Sequence, residues 1–510
     1  MSKAWRAALL LGVVVLAFGV MGIMGHGARS RKALEQYEAD LRAKGEKLTY
    51  VELMRLRIAH TNDSLARLTN AVASLRSGNQ TLQPANLQTR KYVGAGQAQV
   101  AWQQENPFPQ GSGSASPQAN WQIFDAELAD LAQPMAAIRQ ALRDPAADAG
   151  LRTNFATTLM PSFIAIRTAA QWLAGAALNE ARQGRVEAAL QNLEALAALG
   201  RTHREEYTLV AQMIRVAVVN LGLAATWEAL QAPGWNDSQL ERLQHAWEGA
   251  DMVAALEKGF LGERACGMAV WAMARQPGAR NFRQTFSPGA STLETLTENY
   301  VLLPAYKLTS ISDDELFFLQ IMQESLQALR SLEQPHALTA RRGTRDTGQD
   351  APKAFGASAE AYCYKEAMQA MDKMMARVNQ MARLPQGFRY RLSRMVLPNL
   401  RKALQTGLRA ETERQMTLTA IGLRRYQLRY GQWPSELAAL VPQFAPLIGY
   451  DPMSGQPLRY QFQAGGTFLL YPVGEDGRDD GGNAKPSAGK TYGLWEGHDA
   501  VWPLVAPQPK

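Results

Sequence analysis

Apolar positions recur along most of this chain at three- and four-residue spacings, the period of a helix with one buried face. In residues 61–76, Leu65, Leu68, Val72 and Leu75 share such a face. From Asn120 to about Leu332 one helical pattern follows another. The clearest pair is Pro161–Arg182 and Arg185–Leu199, hinged at Gly184, with Val186, Ala189, Leu190, Leu193, Leu196 and Ala197 as the stripe of the second helix. Longer patterns follow over about 205–230 and 237–274. Asp237-Ser238 is positioned as a cap, and Asp313-Asp314-Glu315 supplies the acid that a helix start favours. Two stretches lack periodicity. Residues 77–119 are rich in Gln, Asn, Gly and Ser and read as a linker, and so do residues 333–356. A further helical block covers 357–397. From 398 to 505 the pattern predicts a long helix, a turn and a small hairpin that ends in an acidic glycine loop.

The start of the chain breaks this pattern. Ala7 to Met24 is an uncharged run with Lys3 and Arg6 before it and Arg29, Arg31 and Lys32 after it. That length is the minimum for a helix that spans the hydrocarbon core. Gly25-His26-Gly27-Ala28 makes a poor cleavage site, so residues 1–32 read as an uncleaved membrane anchor rather than a secretory signal. The layout predicts a signal-anchor with the bulk of the chain exported. Residues 33–76 then form a juxtamembrane helical segment. The apolar stretch 208–224 is interrupted by polar residues and reads as a core helix.

The expected fold class is therefore mainly α: an N-terminal transmembrane helix, an α-helical array over 120–332 and a small C-terminal α+β module. The pair hinged at Gly184 resembles a tetratricopeptide hairpin, with small Ala177 and Ala189 where two helices approach, though the later helices do not keep a 34-residue period. The 46% apolar content is that of a folded protein, and 510 residues exceed one ordinary core. The net charge is +8. Residues 383–430 carry eleven basic side chains against only Glu411 and Glu413, but these are scattered around the helix without regular aromatic interleaving. They read as a solvated face, not a nucleic-acid site.

Few residues suggest chemistry. The six histidines are isolated, and none has a metal-ligand partner four residues on. His203-Arg204-Glu205-Glu206 reads as an exposed helix junction. Gly262-Glu263-Arg264 puts charge in an apolar helix, where pairing with a neighbour would fix register. Met368, Met371, Met374, Met375 and Met381 read as adaptable core. Cys266 and Cys363 lie in apolar patterns and read as buried free thiols, with a single disulfide as the alternative. Ala484 to Thr491 is near a phosphate loop but lacks its first glycine and a following helix. In Glu475-Asp476-Gly477-Arg478-Asp479-Asp480-Gly481-Gly482, the acids could wrap a hard cation or simply form a solvated hairpin tip.

The C-terminal block resembles the globular part of the major pseudopilin of type II secretion. The residues that carry the likeness are Tyr426, Gly431 and Pro434, then Asp451, Pro452, Gly455, Pro457 and Tyr460, then Tyr471, Gly474, Asp476 and Gly477, followed by Asp480-Gly481-Gly482 and Asp499 to Trp502. The resemblance implies calcium, with Asp476, Asp479, Asp480 and Asp499 as ligands. The chain lacks the family's basic leader and Phe-Thr-Leu-x-Glu start, so assembly into a pilus is not implied. The rest of the organisation resembles large membrane-anchored bacterial envelope proteins.

These readings give an expectation. The protein is a non-catalytic, single-pass protein of the bacterial inner membrane, with its bulk on the periplasmic side. It is held through residues 7–24 and acts as a tethered scaffold for protein partners in the envelope. The alternatives are an accessory part of a secretion or pilus machine, and a hydrolase with paired acids in a helical cleft.

Overall fold

The computed structural model describes residues 25–54, 64–76, 87–108, 120–145, 162–276, 297–332, 364–381, 383, 386–463 and 465–507. The apolar run 7–24 and Cys363 lie outside them. The chain is mainly α-helical, as its periodicity predicts. In chain order we label helices α1 (25–43), α2 (Ser64–Ala73), α3 (Trp121–Asp130), α4 (Ala132–Ala141), α5 (Ser162–Arg182), α6 (Val186–Leu199), α7 (Leu209–Ala229), α8 (Asp237–Glu248), α9 (Met252–Arg275), α10 (Ile311–Arg330), α11 (Tyr364–Met381) and α12 (Leu400–Tyr430). The strands are β1 (Lys91–Gly94), β2 (Gln97–Gln99), β3 (Tyr450–Asp451), β4 (Gln456–Pro457), β5 (Arg459–Gln463), β6 (Thr467–Tyr471) and β7 (Leu504–Val505).

The residues divide into two compact units. One comprises 1–58, 260–327 and 370–400; the other comprises 59–259, 328–369 and 401–510. The array read as continuous over 120–332 is thus divided at 259/260, and 33–76 is divided at 58/59. Periodicity records that a helix has a buried face but not which neighbour covers it.

In the first unit, Arg264 of α9 is fully buried. Its guanidinium donates to Glu46 at 2.8 Å, to the Lys47 carbonyl at 3.0 Å and to Gln323 at 2.5 Å. This is the charge pairing that its place in an apolar helix predicts. Gly267 lets the Phe318 ring approach, since a Cβ there would lie 2.1 Å from it. Phe318 packs on Trp271 with ring centroids 4.8 Å apart. Asp314, in the acidic first turn of α10, is buried and accepts the N–H groups of Leu392 and Ser393 and the Tyr306 hydroxyl. Met371 and Met374 are core, as the stripe predicts. Cys266 is a half-buried free thiol, pushed up to about 11 by burial and then by Glu263.

The second unit is built on the helical hairpin α5–α6, turned at Gly184, where a positive φ of 75° suits glycine. Ala177 and Ala189 are fully buried within it. Helix α7 packs on both arms. Among the described residues it alone is long and apolar enough to cross a membrane, but 67% of its apolar window is buried inside the protein, as in a core helix. Gly222 of α7 admits Trp247, whose ring would lie 2.2 Å from a Cβ. Helix α8 starts one residue earlier than the sequence suggests. Asn236 is the cap, in a reciprocal box with Gln239, and Asp237 lies in the first turn.

Two further sequence readings are corrected. The His203–Glu206 turn is not an exposed junction. His203 and Glu206 are almost completely buried, His203 Nδ1 lies 3.9 Å from Glu206 Oε1, and Arg204 and Glu205 face outward, Glu205 paired with Lys258 at 2.8 Å. Residues 77–119 are not all linker, because β1 and β2 form a hairpin at 91–99. Strand β2 pairs in parallel with β7, Gln97 opposite Leu504 and Ala98 opposite Val505. The alternation was too short, and its partner too distant in sequence, to register as a strand.

Candidate functional site: the C-terminal module and its cleft

Helix α12 ends where Gly431 takes a left-handed φ of 73° and its N–H bonds the Gln427 carbonyl at 2.8 Å. The turn that follows is held by the hairpin β5–β6, which runs from Arg459 opposite Tyr471 to Gln463 opposite Thr467. Trp433 Nε1 donates to the Gly466 carbonyl at 2.9 Å, the Tyr460 hydroxyl donates to the Pro434 carbonyl at 2.7 Å, and Trp433 meets the edge of Phe468 at 4.8 Å. Asp451 is fully buried at the base. It accepts from Met453 N, Ser454 Oγ, Val473 N and Arg459. Burial pushes its carboxyl up, and these donors oppose that. The long helix, turn and hairpin read from the sequence are therefore present.

The acidic loop is organised around its own backbone. Asp476 accepts the Arg478 N–H at 3.0 Å. Asp479 accepts from Gly481 N at 3.0 Å, Arg459 Nε at 2.8 Å and the Tyr471 hydroxyl at 3.2 Å. Asp476, Asp479 and Asp480 are exposed. Asp499 is fully buried, and its Oδ2 gathers the N–H groups of Asp480, Gly482 and Asn483 at 2.9–3.1 Å. Its Oδ1 is buried without a hydrogen-bond partner. The four acids do not converge, and among the described residues no group of three or more His, Cys, Asp or Glu side chains is arranged to hold a metal ion. Calcium takes six to eight oxygens, and here Asp476, Asp479 and Asp499 each accept a backbone N–H group. Glu475 is held by Arg409, Tyr364 and Gln405. Lys490 in the near-phosphate-loop sequence pairs with Glu496, and among the described residues no helix follows it.

A feature that the sequence reading missed lies beside this loop. The segment 437–457 folds over α8 and α12 and leaves a cleft of about 750 Å³. Its walls are aliphatic: Leu418, Leu437, Leu440, Val441, Leu447 and Ile448. Gly449 permits the fold-back, because a Cβ there would lie 2.2 Å from Thr419 Oγ1. On the lining, Gln244, Glu248, Arg414, Gln415 and Thr419 are engaged within the protein. Arg414 donates to Glu411 at 2.6 and 3.0 Å and to the carbonyls of Trp247 and Glu248 at 3.2 Å. Burial alone would raise Glu411; Arg414 beside it holds it below the usual carboxylate value. Gln244 donates to the Phe444 carbonyl at 2.8 Å and accepts from Arg425, which also pairs with Asp237 and Glu241. The only signal for this cleft was a run of apolar residues with Pro442, Pro446 and Gly449 and no periodicity.

The hairpin 91–99 is fastened to the same unit by a second buried set. Glu228 of α7, fully buried, accepts the Ala101 N–H at 2.7 Å and the Arg90 N–H. The Arg90 guanidinium pairs with Glu413 of α12. Burial pushes Glu228 up to about 8, against the pull of the two N–H groups and Arg90. Trp227, next along α7, donates its ring N–H to the Pro503 carbonyl at 2.9 Å.

Comparison of the chain with family models, with curated proteins and with solved structures gives no match.

Proposed function

We propose that this protein is a non-catalytic scaffold of the bacterial envelope, tethered through residues 7–24 in the inner membrane with its bulk on the periplasmic side. The α5–α6 hairpin serves as the tetratricopeptide-like element of a helical body, and the C-terminal module presents the docking face. The observation that carries this reading is the β5–β6 hairpin. Its turn is fixed by Trp433 and Tyr460, yet Phe462 remains 54% exposed on it. An aromatic side chain held out on a braced hairpin is available as an anchor for a partner surface. Proximity labelling tests this with the full chain and its Phe462→Asp variant. The expected result is membrane-retained protein in both cases, with a discrete set of periplasmic neighbours lost in the variant. An unchanged set of neighbours, or intact protein free in the cytosol, overturns it.

A second reading, as an accessory component of a type II secretion or pilus-like system, is favoured by the helix, glycine turn and hairpin in series. Calcium belongs with this reading, and the buried Oδ1 of Asp499 is the one atom placed to favour it. Millimolar calcium is then expected to raise the melting temperature of the full chain, because a ligand specific to the native state stabilises it. No shift removes the metal from the reading.

A further inference from the structure

The cleft beneath segment 437–457 has the character of a ligand site. Its volume of about 750 Å³ lies in the range of cavities that enclose small molecules. A methylene fills about the space of a water molecule, roughly 30 Å³, so a chain on the order of twenty carbons fits. The walls are mainly aliphatic, with Tyr450 the single aromatic ring among the lining residues. Such walls follow a flexible chain; a planar ligand would call for stacking faces. At the mouth, Leu447 is 45% and Ile448 40% exposed. Leaving this apolar surface wet is unfavourable.

The polar lining narrows the chemistry further. Arg414, the lining cation, has its nitrogens turned to Glu411 and to two backbone carbonyls. Glu248 accepts from His245 Nδ1 at 2.8 Å, and Gln244 is engaged at both ends of its amide. No cation on the lining is left to pair with a carboxylate or phosphate, so a charged head would gain nothing inside and stays in water at the mouth.

We propose that this cleft binds the hydrocarbon chain of a single-chain lipid, recognising the chain and not its head. The inference goes beyond the scaffold reading and stands without it, because the cleft residues are distinct from the exposed hairpin side chain on which that reading rests.

The test uses the full chain in lipid nanodiscs with photoactivatable hexadecanol and hexadecanoic acid. Labels are mapped to peptides after illumination. The expected result is labelling of residues 414–419 and 437–457 by both probes to within about threefold. Competition by unlabelled alcohols should strengthen about fourfold per added methylene until the cleft is full. Ala438→Trp, at an exposed lining position, fills the space and abolishes the label; should that variant not fold, Leu447→Ser at the mouth weakens the label with the melting temperature retained. Labelling confined to the N-terminal apolar run overturns the proposal. So does a strong preference for the acid, or equal labelling by a diacyl phospholipid carrying the same group in one tail. Loss of neighbours in Phe462→Asp with no label in the cleft would leave the scaffold standing and remove the lipid site.

Discussion

The acidic loop at 475–482 and the segment 437–457 belong to the same C-terminal module and sit at opposite extremes of legibility. The loop has the residue types of a metal site, yet its carboxylates accept N–H groups of their own turns and the guanidinium of Arg459. The segment has no chemical signature, yet it encloses a cleft of about 750 Å³, because Gly449 lets it close on Thr419 and α12. Asp and Gly are favoured in turns for their conformational and hydrogen-bonding properties. Their abundance therefore says little about ligands, whereas concavity arises from how apolar chains fail to fill space.

The largest loss of stability is expected behind the cleft. Glu411→Ala leaves Arg414 buried without its carboxylate, and loss of one partner of a buried pair costs roughly 3–5 kcal/mol. Calorimetry of the full chain should show a correspondingly lowered melting transition. A drop of under about 1 kcal/mol would mean that the pair is open to water and the cleft wall is not rigid. The hairpin clamp gives a pH signature next. Burial pushes the Glu228 carboxyl up to about 8 in the native state from its ordinary 4.5. Between those values the native state holds a proton that the unfolded chain has released, so this group's stabilisation is full below about 4.5 and is lost as pH rises through 8. Glu228→Gln should flatten that slope in melting temperature against pH; an unchanged slope assigns it elsewhere.

Asp499→Ala removes the acceptor of three loop N–H groups and is expected to cost about 2 kcal/mol. Gly449→Ala drives a Cβ into Thr419 Oγ1 and should cost about 1–3 kcal/mol by overpacking, with loss of lipid labelling if the fold-back shifts. Asp476→Ala, at an exposed turn, should fall within about 0.5 kcal/mol of the parent. A larger effect that appears only in calcium would reverse the contrast between loop and cleft.

What the sequence reveals follows the range of the interaction. Gly431, Pro434 and Asp451 announce their turns because the backbone conformation they permit is local. The methionine stripe and Arg264 are readable for a related reason, since helical period fixes which face they occupy. The hairpin 91–99 is hidden because its sheet partner is β7, far along the chain. His203 misleads because a polar run looks solvated until its neighbours cover it. The cleft is hidden most deeply: an apolar run looks the same whether it packs fully or leaves a gap.

The parallel pairing of Gln97 and Ala98 with Leu504 and Val505 joins positions some four hundred apart. That sheet cannot close until residues 504–505 have been made, whatever the helices have done by then. Without that pairing β2 keeps only β1 beside it, so the hairpin 91–99 depends for its second edge on a segment made long after it.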